Sequence, residues 1–229
     1  MPMPEDMGRF RKSLEKRRFR VIADLVPRSG ITKVLDAGTG SGWLSEMLSE
    51  LGYTVCAVDL GLDSLKRASS RMRGKNGKVF FALGDVYRLP CRDGWFDTVV
   101  ASETIEHLDR PDAAFREFFR VIRPGGSLVV STPYRVKIEQ TLCIHCNRKT
   151  PVNAHLHSFD EFSLAELLID AGFTVQRVIL YVSRPAERVG MAGLTGFLPH
   201  AVWRALDAVL CGLAGRQSFM AMRAIRNER

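Results

Sequence analysis

Between Cys143 and His157 the chain gathers two of its five cysteines and three of its five histidines into fifteen positions. Thiolates and imidazoles at that density point to zinc chemistry. Cys143 and Cys146 have the C-x2-C spacing of a knuckle, and His155 with His157 completes a four-ligand set, His145 being less well placed. A structural Zn2+ on Cys143, Cys146, His155 and His157 is therefore expected. The spelling departs from common zinc motifs in two ways: the histidines are H-x-H, and only eight residues separate the pairs. Two other arrangements stay open. The cysteines can pack as a reduced pair, or one histidine can turn inward to join Glu106 and His107, His155 or His157 rather than His145.

A second constellation is "DAGTGSG", residues 36 to 42. Gly38, Gly40 and Gly42 let the backbone turn tightly and approach a ligand that a Cβ would block. The spacing is G-x-G-x-G, not the G-x-G-x-x-G of a dinucleotide turn, and an acid, Asp36, stands before it. Further acids follow in order: Asp59 in "VDL", Asp85 in "GDV", then Glu103 and Glu106 with His107 in "ETIEH".

The elements that must position these groups alternate between short apolar runs and helical patterns. "KVLDAG" is a first strand, after which Trp43, Leu44, Met47, Leu48 and Leu51 recur at helical spacing. "TVCAVDL", "KVFFALGD" and "FDTVVASE" are strands two to four, with a helix around "DSLKRASSRM". Pro111 opens a helix that carries Ala114, Phe115, Phe118, Phe119 and Ile122 on one face. "GGSLVVSTP" is strand five, after the turn signal "RPGG". A helix from about Ser163 to Ala171, with Ser163 and Glu166 as a capping box, precedes a strand at "FTVQRVILYV". A helix "PHAVWRALDAVLCGLAG" and a strand "SFMAMRAI" come last. Such alternation implies parallel pairing through right-handed crossovers, with helices on both faces of one sheet. The fold class is an open, doubly wound α/β sheet with an insertion, residues 135–160, after strand five. Ligands of such sheets bind beyond the carboxyl ends of the strands, where strand order reverses.

At 229 residues and 46% hydrophobic the chain can bury one substantial core. A domain over 31–229 follows a basic helical segment, 1–30. No stretch of eighteen residues is free of charge, so no spanning helix is expected. The first twenty residues lack the apolar centre of a secretory signal, and five scattered cysteines suit a reducing cytoplasm. Part of the net charge of +8 lies in Arg9, Arg11, Lys12, Lys16, Arg17, Arg18 and Arg20. These are expected on a solvated helix face, with Phe10, Leu14, Phe19, Ile22 and Leu25 docking the segment.

Taken together, "VLDAGTGSG", "VDL", "GDVYRLP", "FDTVVASETIEHL", "RVIRPGGSLVVSTP" and "LLIDAGF" resemble the class I S-adenosylmethionine-dependent methyltransferases. The likeness covers about residues 32 to 183, and the small-molecule branch, ubiquinone-pathway enzymes included, is the most similar. It implies a Rossmann-like sheet of seven strands, the last antiparallel. It implies that Asp36, Gly38, Thr39, Gly40 and Gly42 hold the methionine part. Asp59 would accept the ribose hydroxyls, with Leu60 beside it. Asp85 would cap the adenine, Val86 would pack on the ring, and Ser102 and Glu103 would end strand four beside the sulfonium.

The sulfonium is an activated donor, so the protein must align acceptor, methyl and sulfur and exclude water. His107 is the candidate base for a hydroxyl acceptor, with Glu103 beside it. Glu103, Glu106 and His107 also match the Glu-x-x-Glu-His spacing of metal-dependent O-methyltransferases, which implies Mg2+ there as a further option. The segment 185–216, with Met191, Leu194, Phe197, Leu198, Val202, Trp203, Leu206, Val209 and Leu210, is either a helix packed on the sheet or an apolar lid or interfacial helix. The expected acceptor is a small molecule: a lipid, quinone or glycan precursor. An RNA acceptor and a non-catalytic S-adenosylmethionine-binding protein are the rivals.

Overall fold

The fold is that of a computed structural model, which describes residues 9–28, 30, 33–143, 145–185, 195 and 197–227, with side chains from residue 14 onward. Strands β1 (Lys33–Ala37), β2 (Thr54–Asp59), β3 (Val79–Leu83), β4 (Phe96–Ser102), β5 (Ile122–Pro133), β8 (Phe173–Ser183) and β9 (Gln217–Arg226) form one sheet. Their order is β3-β2-β1-β4-β5-β9-β8. β9 is antiparallel to both neighbours, and the other pairs are parallel. This is the expected seven-stranded sheet with its last strand reversed. Order reverses between β1 and β4, which places the ligand crevice at the ends of those two strands.

The strands fold as apolar runs because both faces are covered. Helices α1 (Arg9–Ala23), α2 (Trp43–Glu50), α3 (Leu62–Met72), α4 (Pro111–Val121), α5 (Glu161–Asp170) and α6 (His200–Ala214) supply the cover. One core joins Leu35, Val99, Val130 and Met222 to Phe115 and Phe118 of α4 and Leu164 and Leu168 of α5. The other joins Val34, Val100 and Val129 to Ile22 and Leu25, to Leu44 and Leu48 of α2, and to Trp203 of α6. Pro111 sits in the first turn of α4, as expected. α5 starts earlier than expected: Asp160 is the N-cap, accepting from the Phe162 and Ser163 amides, and Ser163 is the reciprocal member of the box. The aspartate wins because its carboxylate reaches the N3 amide while the Ser163 hydroxyl caps the backbone behind it.

Segment 135–160 is an insertion as expected. It forms a hairpin, β6 (Gln140–Leu142) with β7 (Lys149–Pro151), and then returns to the sheet. The N-terminal segment departs from expectation. α1 packs through Val21 and Ile22, with Leu25 and Val26 just after it, but Arg17 is buried too, its guanidinium 5.0 Å from the Trp203 ring. Arg18 also turns inward (see below). α6 packs on β8 through Trp203, Asp207 and Cys211. The Asp207 carboxylate accepts the Val182 and Ser183 amides at 2.9 and 3.1 Å, so this part of 185–216 is a packed helix. Its far face leaves Val202, Val209 and Leu213 exposed; Met191 and Leu194 lie outside the described residues. No helix among the described residues is long and apolar enough to cross a membrane.

Candidate active site

β1 ends in the glycine turn, and hydrogen bonds set its shape. The Gly38 and Thr39 amides donate to the Val58 carbonyl at 2.8 and 3.0 Å, pinning the turn to the end of β2. Gly38 has φ +80, and a Cβ there would meet the Thr104 hydroxyl at 2.5 Å. Gly42 caps α2 at φ +78, and its Cβ would meet the Ala68 Cβ of α3 at 2.7 Å. Gly42 therefore serves helix packing rather than ligand approach. Gly42→Ala should cost about 2–4 kcal/mol from the left-handed strain and the forced overlap, read as a lower thermal midpoint. Gly40 differs: a Cβ there would point into open space, and its amide donates to Asp59 Oδ2 at 2.8 Å.

Asp36 points inward. Its Oδ2 accepts the hydroxyls of Thr39 at 2.8 Å and Ser45 at 2.5 Å, and the carboxyl is only 2% exposed. Burial pushes its pKa up, against the pull of those two hydroxyls. Asp36 thus supports the turn through Thr39 rather than facing the crevice. Asp59, at the end of β2, binds the amides of Gly40 and Gly61, each at 2.8 Å, one per oxygen. A carboxylate has about four acceptor positions, so capacity for two ribose hydroxyls remains. Leu60 beside it is 74% exposed. Asp85, past β3, accepts the Tyr87 amide at 3.0 Å, and Val86 packs against the core. The open backbone at Gly40, the two-pronged Asp59 and the exposed Leu60 fit the chemistry of S-adenosylmethionine.

β4 ends at Ser102, and Glu103, Glu106 and His107 follow it. Ser102 Oγ lies 3.1 Å from Ser131 Oγ of β5, and Ser131 also donates to Glu103 Oε1 at 3.3 Å. Glu103 has φ +51, a left-handed backbone that swings its side chain away from the strand. Arg18 of α1 meets it: the guanidinium lies 2.7 Å from Glu103 Oε2 and 3.5 Å above the Phe219 ring. The sequence shows no sign of this pair, because a basic helical run does not mark which arginine faces in. Arg18→Met should lower methyl transfer about tenfold and leave S-adenosylmethionine affinity within about threefold, measured by calorimetry beside a labelled-methyl assay.

A short 3-10 turn, Ile105–His107, follows. Glu106 is 1% exposed, and its carboxyl makes no well-formed hydrogen bond, with only a weak pull from the Thr132 hydroxyl. Burial first, and the Glu103 charge second, push its pKa up to about 8. The Glu106 carbonyl accepts the Leu156 and His157 amides at 2.7 and 3.2 Å. His107 Nδ1 donates to the Ala154 carbonyl at 3.0 Å, which leaves Nε2 of the neutral ring as its lone-pair atom. His155 lies edge-on to His107, ring centroids 5.0 Å apart. Burial, then the neighbouring His107, lowers the His155 pKa. Donor atoms of Glu106, His107 and His155 all lie within 4.8 Å of one another, a grouping that could hold a metal ion.

The structure therefore does not assemble the expected zinc set. His155 joins Glu106 and His107, and His157 Nε2 donates to the Leu108 carbonyl at 2.9 Å while its ring stacks on Phe159. Cys143 and Cys146 remain at the hairpin turn as free thiols. The inward histidine is His155, and the backbone bonds to Glu106 are the reason. The Mg2+ option changes as well: Glu103 is engaged by Arg18, and the third member beside Glu106 and His107 is His155.

A seven-stranded sheet with a reversed last strand, and a glycine turn facing an acid at the end of β2, define the class I S-adenosylmethionine-dependent methyltransferase fold. The comparisons agree. The family described as "Methyltransferase domain" matches residues 35–130. A ubiquinone biosynthesis O-methyltransferase of Xanthomonas euvesicatoria is 33% identical over 181 residues, covering 74% of this chain and 75% of that protein. A probable S-adenosylmethionine-dependent methyltransferase of Mycolicibacterium smegmatis is 33% identical over 162 residues, 70% of this chain and 59% of that one. The chain thus spans little more than half the length of its mycobacterial relatives. Among solved structures, the [4+2]-cyclase SpnF matches with TM-score 0.68 and 22% identity, covering 93% of this chain and 81% of that one. A methyltransferase from Mesorhizobium loti matches at 0.64 and 18%, covering 92% and 98%. These two likenesses show the fold alone. The chain belongs to the class I S-adenosylmethionine-dependent methyltransferases.

Proposed function

We propose that the chain moves the methyl group of S-adenosylmethionine to a hydroxyl oxygen of a small-molecule acceptor, a lipid, quinone or glycan precursor. The observation that carries this reading is Glu106, a buried carboxyl without a well-formed hydrogen bond, grouped with His107 and His155 at the exit of β4. A thioether acceptor has no proton to lose and needs no such group. A hydroxyl becomes a good nucleophile only as it gives up its proton, and the ionised form of Glu106, reached as pH nears its raised pKa of about 8, or an imidazole beside it is a place to send it. The glycine turn and Asp59 hold the donor, and Thr104, which donates to the Ala37 carbonyl at 3.1 Å, ties the β4 exit to the turn. That tie fixes the distance between donor and proton acceptor.

One carboxylate and two imidazoles suit a divalent transition metal better than Mg2+, which prefers oxygen. Bound there, such an ion supplies Lewis acidity toward an acceptor hydroxyl. Two relatives named for O-methylation in ubiquinone biosynthesis support an oxygen acceptor. Calorimetric titration of chelator-treated protein with Mn2+ tests the metal part. One site, lost in His155→Ala, is expected. The acceptor atom is read by mass spectrometry of the methylated product: a methyl ether supports the proposal, and a methylated nitrogen or carbon contradicts it.

A further inference from the structure

The carboxyl edge of the sheet holds a second feature that methyl transfer alone does not use. A cavity of about 440 Å3 is lined by Tyr134, Arg135, Arg184, Pro185, Arg216 and Gln217, with Gly215 at its wall. Three separate segments build it: the exit of β5, the exit of β8, and the turn from α6 into β9. Because β9 runs against β5 and β8, all three meet at the edge where the glycine turn and the β4 exit also lie. Hydrogen bonds tie them together. The Tyr134 amide donates to the Ser218 carbonyl at 2.9 Å, and the Arg184 amide to the Arg216 carbonyl at 3.0 Å.

The charge of this cavity is unbalanced. Arg135 faces Asp160 and Glu161 at 3.4 and 3.6 Å, and Glu161 also accepts the Tyr134 hydroxyl at 2.7 Å. Arg184 instead donates to the Tyr134 and Arg135 carbonyls, which fix its fork without cancelling its charge. Among the described residues, no carboxylate lies within 4.0 Å of Arg184 or Arg216. Two arginines, one of them held by carbonyls, thus line a concave space with no carboxylate within 4.0 Å of either among the described residues. Guanidinium forks match the oxygens of a phosphate, which accepts several N–H groups at once. The cavity is near the chemistry as well. Tyr134 is three residues beyond Ser131, whose hydroxyl reaches Glu103, or about 10 Å along an extended strand.

We propose that this cavity binds a phosphate group carried by the methyl acceptor, with Arg184 and Arg216 as the residues that select it. The inference rests on the methyltransferase reading and narrows its substrate class to phosphorylated acceptors. The phosphate can belong to a soluble phosphoester or to a lipid headgroup. An extended RNA backbone fits less well, since it needs a continuous basic groove and the cavity accommodates one group.

The test is calorimetry on S-adenosylmethionine-loaded protein with sn-glycerol 3-phosphate, beside cosedimentation with phosphatidic acid vesicles against phosphatidylcholine vesicles. Saturable binding of the soluble ester, or of phosphatidic acid vesicles alone, supports the proposal and says which source it is. Arg216→Glu, on an exposed residue, should weaken that binding at least tenfold and leave S-adenosylmethionine affinity unchanged. Arg184→Lys is the second variant and should weaken it less. Binding of neither probe, binding equal in wild type and Arg216→Glu, or binding of single-stranded RNA in place of both, would overturn it. Loss of S-adenosylmethionine binding in the wild type would instead defeat the methyltransferase reading, whatever the phosphate result.

Discussion

Asp59→Ala lowers S-adenosylmethionine affinity by at least about a hundredfold. The carboxylate now holds the Gly40 and Gly61 amides at 2.8 Å each, with acceptor capacity left over. If the ribose binds there, removing it would take away two charge-assisted bonds, on the order of 1.5–3 kcal/mol each, and it would also loosen the glycine turn. Asp59→Asn separates the two effects: an amide keeps one acceptor oxygen but loses the charge, so its affinity should fall between the two. Calorimetry reads both. Affinity within about threefold of wild type in the alanine variant would mean that the cofactor does not sit at the end of β2.

Glu106→Gln has the second large effect, a fall in methyl transfer of about 10²–10⁴-fold with S-adenosylmethionine affinity nearly unchanged. The amide keeps the size and burial of the side chain but cannot take a proton. The same variant has a stability signature in chelator-treated protein. Burial and Glu103 raise the folded pKa from 4.5 to about 8. Across that window the folded state holds a proton that the unfolded chain has released. The wild type therefore loses stability as pH climbs from about 4.5 to about 8, then levels off. Glu106→Gln lacks that decline, so it gains on the wild type as pH rises. Thermal midpoints of both proteins at pH 5 and pH 8.5 show whether the two curves diverge. Parallel curves would mean that Glu106 is not held protonated in the fold.

The architecture was legible because doubly covered strands spell apolar runs, and because a glycine turn leaves a sequence mark. Gly38 and Gly42 show the limit of that mark: one is small for Thr104, the other for Ala68, and neither neighbour can be read from the motif. Asp36 and Asp59 look alike in the sequence, yet one is turned in toward Thr39 and Ser45 and the other bridges two loops. The cysteine and histidine stretch misled for a definite reason. Its spacing fits zinc, but the Glu106 carbonyl captures the Leu156 and His157 amides and carries His155 to His107. Arg18 and Glu103 meet only through tertiary packing, as do the arginines at 184 and 216. Such long-range pairings leave no periodicity to detect.

The central claim is methyl transfer at the β4 exit from a donor held at the ends of β1 and β2. The direct test is incorporation of labelled methyl from S-adenosylmethionine into cell extract fractionated into lipid, RNA and soluble pools. Wild type should label the lipid or the soluble pool, and Asp59→Ala and Glu106→Gln should label neither. Label confined to the RNA pool, or label undiminished in Glu106→Gln, would contradict the account.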